Sequence, residues 1–224
     1  MIFDQSGDFP SSSRLELETT RQNHHCEAAS RAMSKPKLFI PGPVDVAPET
    51  YAAMAGPAIG HRGKDFEELY SSIQPGIRQV VGTIRPVFFS TSSAWGVMEG
   101  RIRNLVKKKV LNLCCGAFSD KWYGVAQSCG KEADKIQVEW GQPITPEAVR
   151  EKLSEGGFDT VTLVHNETST GTLNPLKEIA DVVKSFDDIL LVVDTVSSLS
   201  AMPINFDELG IDVLLAGVQK AIAL

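Results

Sequence analysis

Three apolar runs recur in the second half of the chain: "TVTLVH" (160–165), "ILLVVD" (189–194) and "DVLLAG" (212–217). Each is too continuously apolar for a strand with one solvated face. Between the first two, "PLKEIADVVKSF" (175–186) spaces its apolar residues as a helix does and opens on a proline, which suits a first helical turn. Earlier, "KDFEELYSSIQPGIRQVV" (64–81) predicts a helix kinked or broken at Pro75. "PVFFS" (86–90) predicts a short strand, "AWGVMEGRIRNLV" (94–106) a helix, and "KVLNLCC" (109–115) a further strand. "FIPGPVDVAPE" (39–49) is proline-rich and predicts an extended, turning segment. Continuous apolar strands alternating with helices predict an α/β fold with a mostly parallel sheet buried on both faces.

Residues 1–34 break the pattern: polar, serine-rich and aperiodic, they read as a disordered extension ahead of a domain over 35–224. This extension has no apolar segment of a secretory signal and carries too many acidic residues for a transit peptide, so a cytoplasmic location is expected. His24, His25 and Cys26 lie within that tail and are expected to be no metal site. With 42% hydrophobic and 22% charged residues the chain can build an ordinary core. A net charge of −6 makes nucleic acid a poor partner, and no apolar run approaches the roughly 18 residues of a membrane span. Four cysteines without zinc-like spacing suit a reducing compartment.

In parallel sheets ligands collect where the strands end, and four strand ends carry chemistry. After "PVFF" come Ser90, Thr91, Ser92, Ser93 and Ala94 at a predicted helix start, either an anion cradle or simple capping. "TVTLVH" runs into Asn166, Glu167, Thr168, Ser169 and Thr170, a ligand-binding cluster or a turn. "ILLVVD" closes on Asp194, a carboxylate that must cap a segment or face a cation. "DVLLAGVQ" delivers Lys220. An anion cradle, a buried carboxylate and a lysine together match pyridoxal 5'-phosphate: the phosphate in the cradle, Asp194 at the pyridine nitrogen, Lys220 as the Schiff-base amine and proton carrier.

"STSSAWGVMEG", "HNETSTGTLNPL", "LLVVDTVSSL" and "GIDVLLAGVQKAIAL" together resemble the class V aminotransferases of fold type I, and within them the alanine–glyoxylate and serine–pyruvate branch. The resemblance covers about 36–224 and implies the large, cofactor-binding domain of that fold, with helices on both faces of the sheet. It implies Ser93, Ala94 and Trp95 in the phosphate loop, Ala94 standing where glycine is usual. It implies Phe118, in "CCGAFSDKW", stacked on the pyridine ring, with Val196 on the other ring face. Thr168 and Gln219 would bond near the phenolic oxygen, Asp194 the ring nitrogen, and Lys220 the aldehyde. Gly42, in "PGP", would line the substrate pocket.

The activity so implied is transamination between alanine or serine and glyoxylate or pyruvate, in a homodimer. Gln219 and Phe118 speak against the related cysteine desulfurases, which usually carry histidine at both places. His61 and Arg62, in "GHRGKDFEELY", resemble the substrate-phosphate segment of phosphoserine aminotransferases, an alternative substrate, and are equally open to a structural role in a turn. Members of the family continue well past the lysine, into a small domain with a substrate-carboxylate arginine. The chain is therefore expected to be the N-terminal part of such an enzyme, inactive alone; a non-catalytic fragment that binds the cofactor or a full-length partner is the remaining alternative.

Overall fold

The computed structural model describes residues 37–224; the polar extension and its His24, His25 and Cys26 lie outside the described residues. Phe39–Leu224 form one compact unit. In chain order its helices and strands are α1 (Pro48–Met54), α2 (Lys64–Val81), α3 (Ala94–Leu105), β1 (Lys109–Cys114), α4 (Ala117–Ser128), β2 (Glu132–Gln137), α5 (Pro146–Ser154), β3 (Thr160–Val164), β4 (Asn166–Glu167), β5 (Thr172–Leu173), α6 (Leu176–Lys184), β6 (Leu190–Asp194), α7 (Phe206–Leu209) and β7 (Val213–Leu215).

The main sheet has the order β2-β1-β3-β6-β7 and every pairing in it is parallel. Its central strands are buried along nearly their whole length, as their uninterrupted apolar runs require. Side chains alternate between two cores because successive strand residues face opposite sides of the sheet. Leu111, Leu113, Val161, Leu163, Leu191 and Val193 pack with α5 and α6 residues such as Val149, Leu153, Ile179 and Val183. Val110, Val164, Val192 and Leu215 pack with Met98 and Ile102 of α3 and with Trp122 and Val125 of α4. Helices thus cover both faces.

Two local expectations are corrected. "PVFFS" forms no strand: Phe88 and Phe89 are exposed, and Val87 finds no partner strand. The Gln74 side chain serves instead, its Nε2 donating to Val87 O at 2.8 Å and its Oε1 accepting from Val87 N at 3.2 Å. Nor does α2 break at Pro75; one helix runs from Lys64 to Val81. The missing proline N–H deprives only the Ser71 carbonyl, and Ser71 is exposed, where water can replace it.

β2 is an edge strand, read as "EADKIQ", with no apolar face to announce it. Lys109 and Lys152 reach Asp134 at 3.4 and 3.0 Å and hold its carboxyl below the usual range, chiefly through the hydrogen bond from Lys152. A charged edge of this kind discourages further strand pairing.

The chain reverses its direction of travel across the sheet between β1 and β3, β2 lying to one side and β6 and β7 to the other. That is where a doubly wound sheet opens a crevice at the carboxyl ends of its strands.

Candidate functional site

β7 aims the last segment back over the sheet. Lys220 is half-buried, and its Nζ donates to Thr168 Oγ1 at 2.7 Å. The ammonium lies 4.8 Å from the centre of the Phe118 ring, a cation–π distance. Burial pushes the Lys220 amine below its ordinary pKa, while the charges of Asp194 and Glu167 pull it back up. A lysine so placed carries a larger neutral, nucleophilic fraction at a given pH than a solvated one.

The Pro-Gly-Pro turn closes over this side chain. Val44 N donates to Gln219 O at 3.0 Å, and a Cβ added to Gly42 would stand 2.7 Å from Lys220 Cγ and 3.3 Å from its Cε. Gly42 also holds φ at 150°, which side chains rarely adopt. Gly42→Ala is therefore expected to dislodge the lysine and to cost about 1–3 kcal/mol of stability, the range for overpacking. Urea unfolding checks it; an unchanged midpoint would mean that the turn yields freely.

β6 ends in Asp194, 6% exposed. Its Oδ1 accepts from Val196 N at 3.0 Å and its Oδ2 from Trp122 Nε1 at 3.2 Å. Burial drives its pKa upward, with those two hydrogen bonds and the Lys220 charge acting against it. Asp194 makes no ion pair within 4 Å among the described residues, so its carboxylate is held in place without a direct counter-charge.

Ser93 stands as N-cap of α3, yet its side chain makes no capping bond. Ala94 N and Trp95 N accordingly have no hydrogen-bond acceptor among the described residues. Ser90 and Ser92 pair through their hydroxyls at 2.8 Å beside them. Free N–H groups at the positive end of a helix fit an anion. Trp95 is exposed, and the Lys121 ammonium lies 5.5 Å from its ring and 5.2 Å from that of Phe118.

Other expected residues are placed less centrally. Val196 is half-buried and contributes its amide to Asp194. The Gln219 side chain folds back toward Gly217, and its carbonyl receives Val44. His61 and Arg62 are exposed in the turn before α2.

Trp122 is not singled out by the sequence, and Glu167 appears there only as one member of a polar cluster. Trp122 anchors Asp194; an indole N–H on the buried face of a helix needs an acceptor, and that need is the available signal. Glu167 is fully buried beside Thr168 and receives hydrogen bonds from two segments of the chain. Among the thiols, burial pushes Cys114 up to about 12, which makes it a packing residue and not a nucleophile.

Comparison with known proteins shows the family. The family profile described as Aminotransferase class-V matches residues 48–224. An uncharacterized aminotransferase of Methanocaldococcus jannaschii is 43% identical over 192 residues, 84% of this chain and 50% of its own length. The serine–glyoxylate aminotransferase of Methylorubrum extorquens is 31% identical, over 88% of this chain and 51% of its own. Among solved structures, the alanine–glyoxylate aminotransferase from Nostoc sp. superposes with a TM-score of 0.80 at 31% identity, covering 86% of this chain and 52% of that one. The chain thus spans about half the length of the relatives it matches. With the profile covering most of its length, the chain belongs to the class-V aminotransferases.

Proposed function

We propose that this site binds pyridoxal 5'-phosphate and serves amino-group transfer between a small amino acid, alanine or serine, and a 2-oxo acid, glyoxylate or pyruvate. The observation that carries the reading is Lys220, past β7, held on Thr168, together with Asp194 buried at the end of β6 without an ion-pair partner among the described residues, and open N–H groups at Ala94 and Trp95 where α3 begins. The residues fit the group: the buried carboxylate wants a cation, which a pyridinium nitrogen provides, and the open helix start wants an anion, which a phosphate provides. Bound there, the cofactor supplies an aldehyde and an electron-accepting ring.

The protein's own part is positional and acid–base. Phe118 offers a ring wall, Asp194 keeps the ring nitrogen charged, and Thr168 holds the Lys220 amine within reach. Lys220 then moves a proton to and from the substrate carbon. The names of the Methylorubrum and Nostoc relatives, both glyoxylate aminotransferases, support glyoxylate as acceptor.

The test is an absorbance titration with pyridoxal 5'-phosphate, followed by assays pairing alanine, serine or phosphoserine with glyoxylate or pyruvate. Saturable cofactor absorbance is the expected result for this chain, with turnover of alanine or serine expected from a longer protein that contains it. No bound absorbance in either sinks the proposal. Binding without turnover in the longer protein as well supports the alternative in which the chain holds the cofactor, or a longer partner, and does not catalyse. A preference for phosphoserine that Arg62→Ala removes selectively would instead favour the phosphoserine reading of His61 and Arg62.

The same reading includes pairing with a second copy. Phe66, Leu69, Ile73 and Val80 form an exposed apolar stripe on α2, continued by Ile84, Phe88 and Phe89. Exposed apolar side chains in such number suit a surface that a partner copy would cover. Sedimentation as a monomer at tens of micromolar, an ordinary range for such assays, would count against it.

A further inference from the structure

We propose that Glu167 is the positioning residue of this site: its buried carboxylate joins the turn that carries Phe118 to the loop that carries Thr168, so that ring wall and lysine contact are set as one piece. Glu167 sits in β4, just past the end of β3, and is completely buried. Its Oε2 accepts from Ser119 N and Ser119 Oγ, both at 2.9 Å. Its Oε1 accepts from Phe118 N at 3.2 Å, Ser169 N at 3.2 Å and Ser169 Oγ at 2.7 Å.

Gly116, the N-cap of α4, has no side chain to cap that helix, so the carboxylate of a distant strand end takes the free N–H groups of its first turn. Gly116 is also obligatory for the fit, since an added Cβ would stand 2.6 Å from Glu167 Cδ and 2.7 Å from Ser169 Oγ. Phe118 and Thr168 flank this knot, and the Lys220 ammonium touches both. The knot lies between β1 and β3, where the sheet reverses its winding.

The charge reaches further than the hydrogen bonds. Burial acts to raise the Glu167 pKa, but hydrogen bonds from Ser169 and Ser119 outweigh it and hold the carboxyl below its usual value. The charged groups acting on Lys220 are Asp194 and Glu167, and both favour the ammonium. A carboxamide at 167 would remove one of those charges. It would also turn an NH2 donor onto at least one N–H that now meets an acceptor, and a charge-assisted bond of that kind is worth roughly tenfold in an equilibrium constant.

The experiment compares wild type and Glu167→Gln in two ways: affinity for pyridoxal 5'-phosphate by absorbance titration, and the pH profile of Lys220 acetylation by acetic anhydride in the cofactor-free protein, read by peptide mass. The cofactor arm rests on the function proposed above; the acetylation arm does not. Expected are a cofactor affinity weaker by roughly tenfold or more and an acetylation midpoint moved to lower pH, in protein whose circular dichroism is native. A variant that only loses thermal stability, with wild-type affinity and a wild-type acetylation profile, would make Glu167 a structural residue and overturn the inference. Should wild type bind no cofactor, the functional reading fails and the acetylation profile alone decides. Should Glu167→Gln not fold, Ser169→Ala keeps the charge and removes one donor. A several-fold weaker cofactor affinity is then expected, and an unchanged affinity overturns the proposal.

Discussion

In a longer protein that contains this chain, Lys220→Ala is expected to abolish amino-group transfer, lowering the rate by at least about 10³-fold, since positioned acid–base groups alone contribute about 10²–10⁴ and the amine also holds the cofactor. The loss should be chemical and not a loss of fold. Lys220 is only half-buried, and its side chain donates to Thr168. Truncation therefore leaves no buried partner stranded, because a threonine hydroxyl can turn to other acceptors. Circular dichroism and the urea midpoint should stay near wild type while activity vanishes. A second readout needs no turnover. Borohydride treatment of the cofactor-loaded protein should fix the cofactor, less one water and plus two hydrogens, on the peptide carrying Lys220 in wild type and on no peptide in the variant. Labelling of a different lysine, or persistent activity in the variant, would remove Lys220 from the chemistry.

What could be read from the sequence divides along a physical line. β3 and β6 are legible because a strand covered on both faces must be apolar throughout, and the runs ending at Val164 and Asp194 are; β7, at the other edge of the sheet, is legible because Val213 and Leu214 still pack against the cores on its two faces. β2 is not legible: as an edge strand its residues are half-solvated, and Asp134 and Lys135 read as loop. "PVFFS" misleads for the converse reason. Its apolar, β-prone composition is real, but pairing requires a neighbour, and a glutamine side chain supplies the two hydrogen bonds at Val87. In the site, Lys220 and Asp194 announce themselves as charges closing apolar strands. Glu167 does not, because its role depends on Phe118 and Ser119, 49 and 48 residues earlier in the chain. Within its own segment, "HNETSTG", it is one polar residue among several. Local pattern shows which groups are costly to bury; it does not show which distant donors make the burial possible.

Asp194→Asn is expected to act oppositely on the cofactor-free and cofactor-loaded protein. In the free protein the Asp194 pKa is raised, chiefly by burial, so the native state holds this proton more tightly than the unfolded chain. Stability from this group is then fully present below the ordinary carboxylate pKa and is lost as pH rises through the folded value, since unfolding releases the proton. Above that folded value the native state carries a buried charge without an ion-pair partner among the described residues. Asparagine removes that charge. One oxygen can still accept from Val196 N or Trp122 Nε1, while its NH2 faces the other donor. The lost hydrogen bond costs about 1–3 kcal/mol, whereas the effective penalty of a buried ion is several kcal/mol. Above the folded pKa the charge term wins, so the cofactor-free variant should gain melting temperature relative to wild type as the pH rises, and lose that gain as the pH falls toward the carboxylate range. Added pyridoxal 5'-phosphate should reverse the order. Wild type gains the attraction between Asp194 and a protonated ring nitrogen, and with it a concentration-dependent rise in melting temperature; the variant gains little. Its amino-group transfer should fall by roughly 10²-fold or more, the scale of removing one preorganised electrostatic contact. Melting curves of both proteins with and without cofactor, at pH 5 and pH 7, check the crossing. If the variant is less stable than wild type in the free state at pH 7, the Asp194 carboxylate is already compensated within the fold, and its burial does not mark a site waiting for a cation.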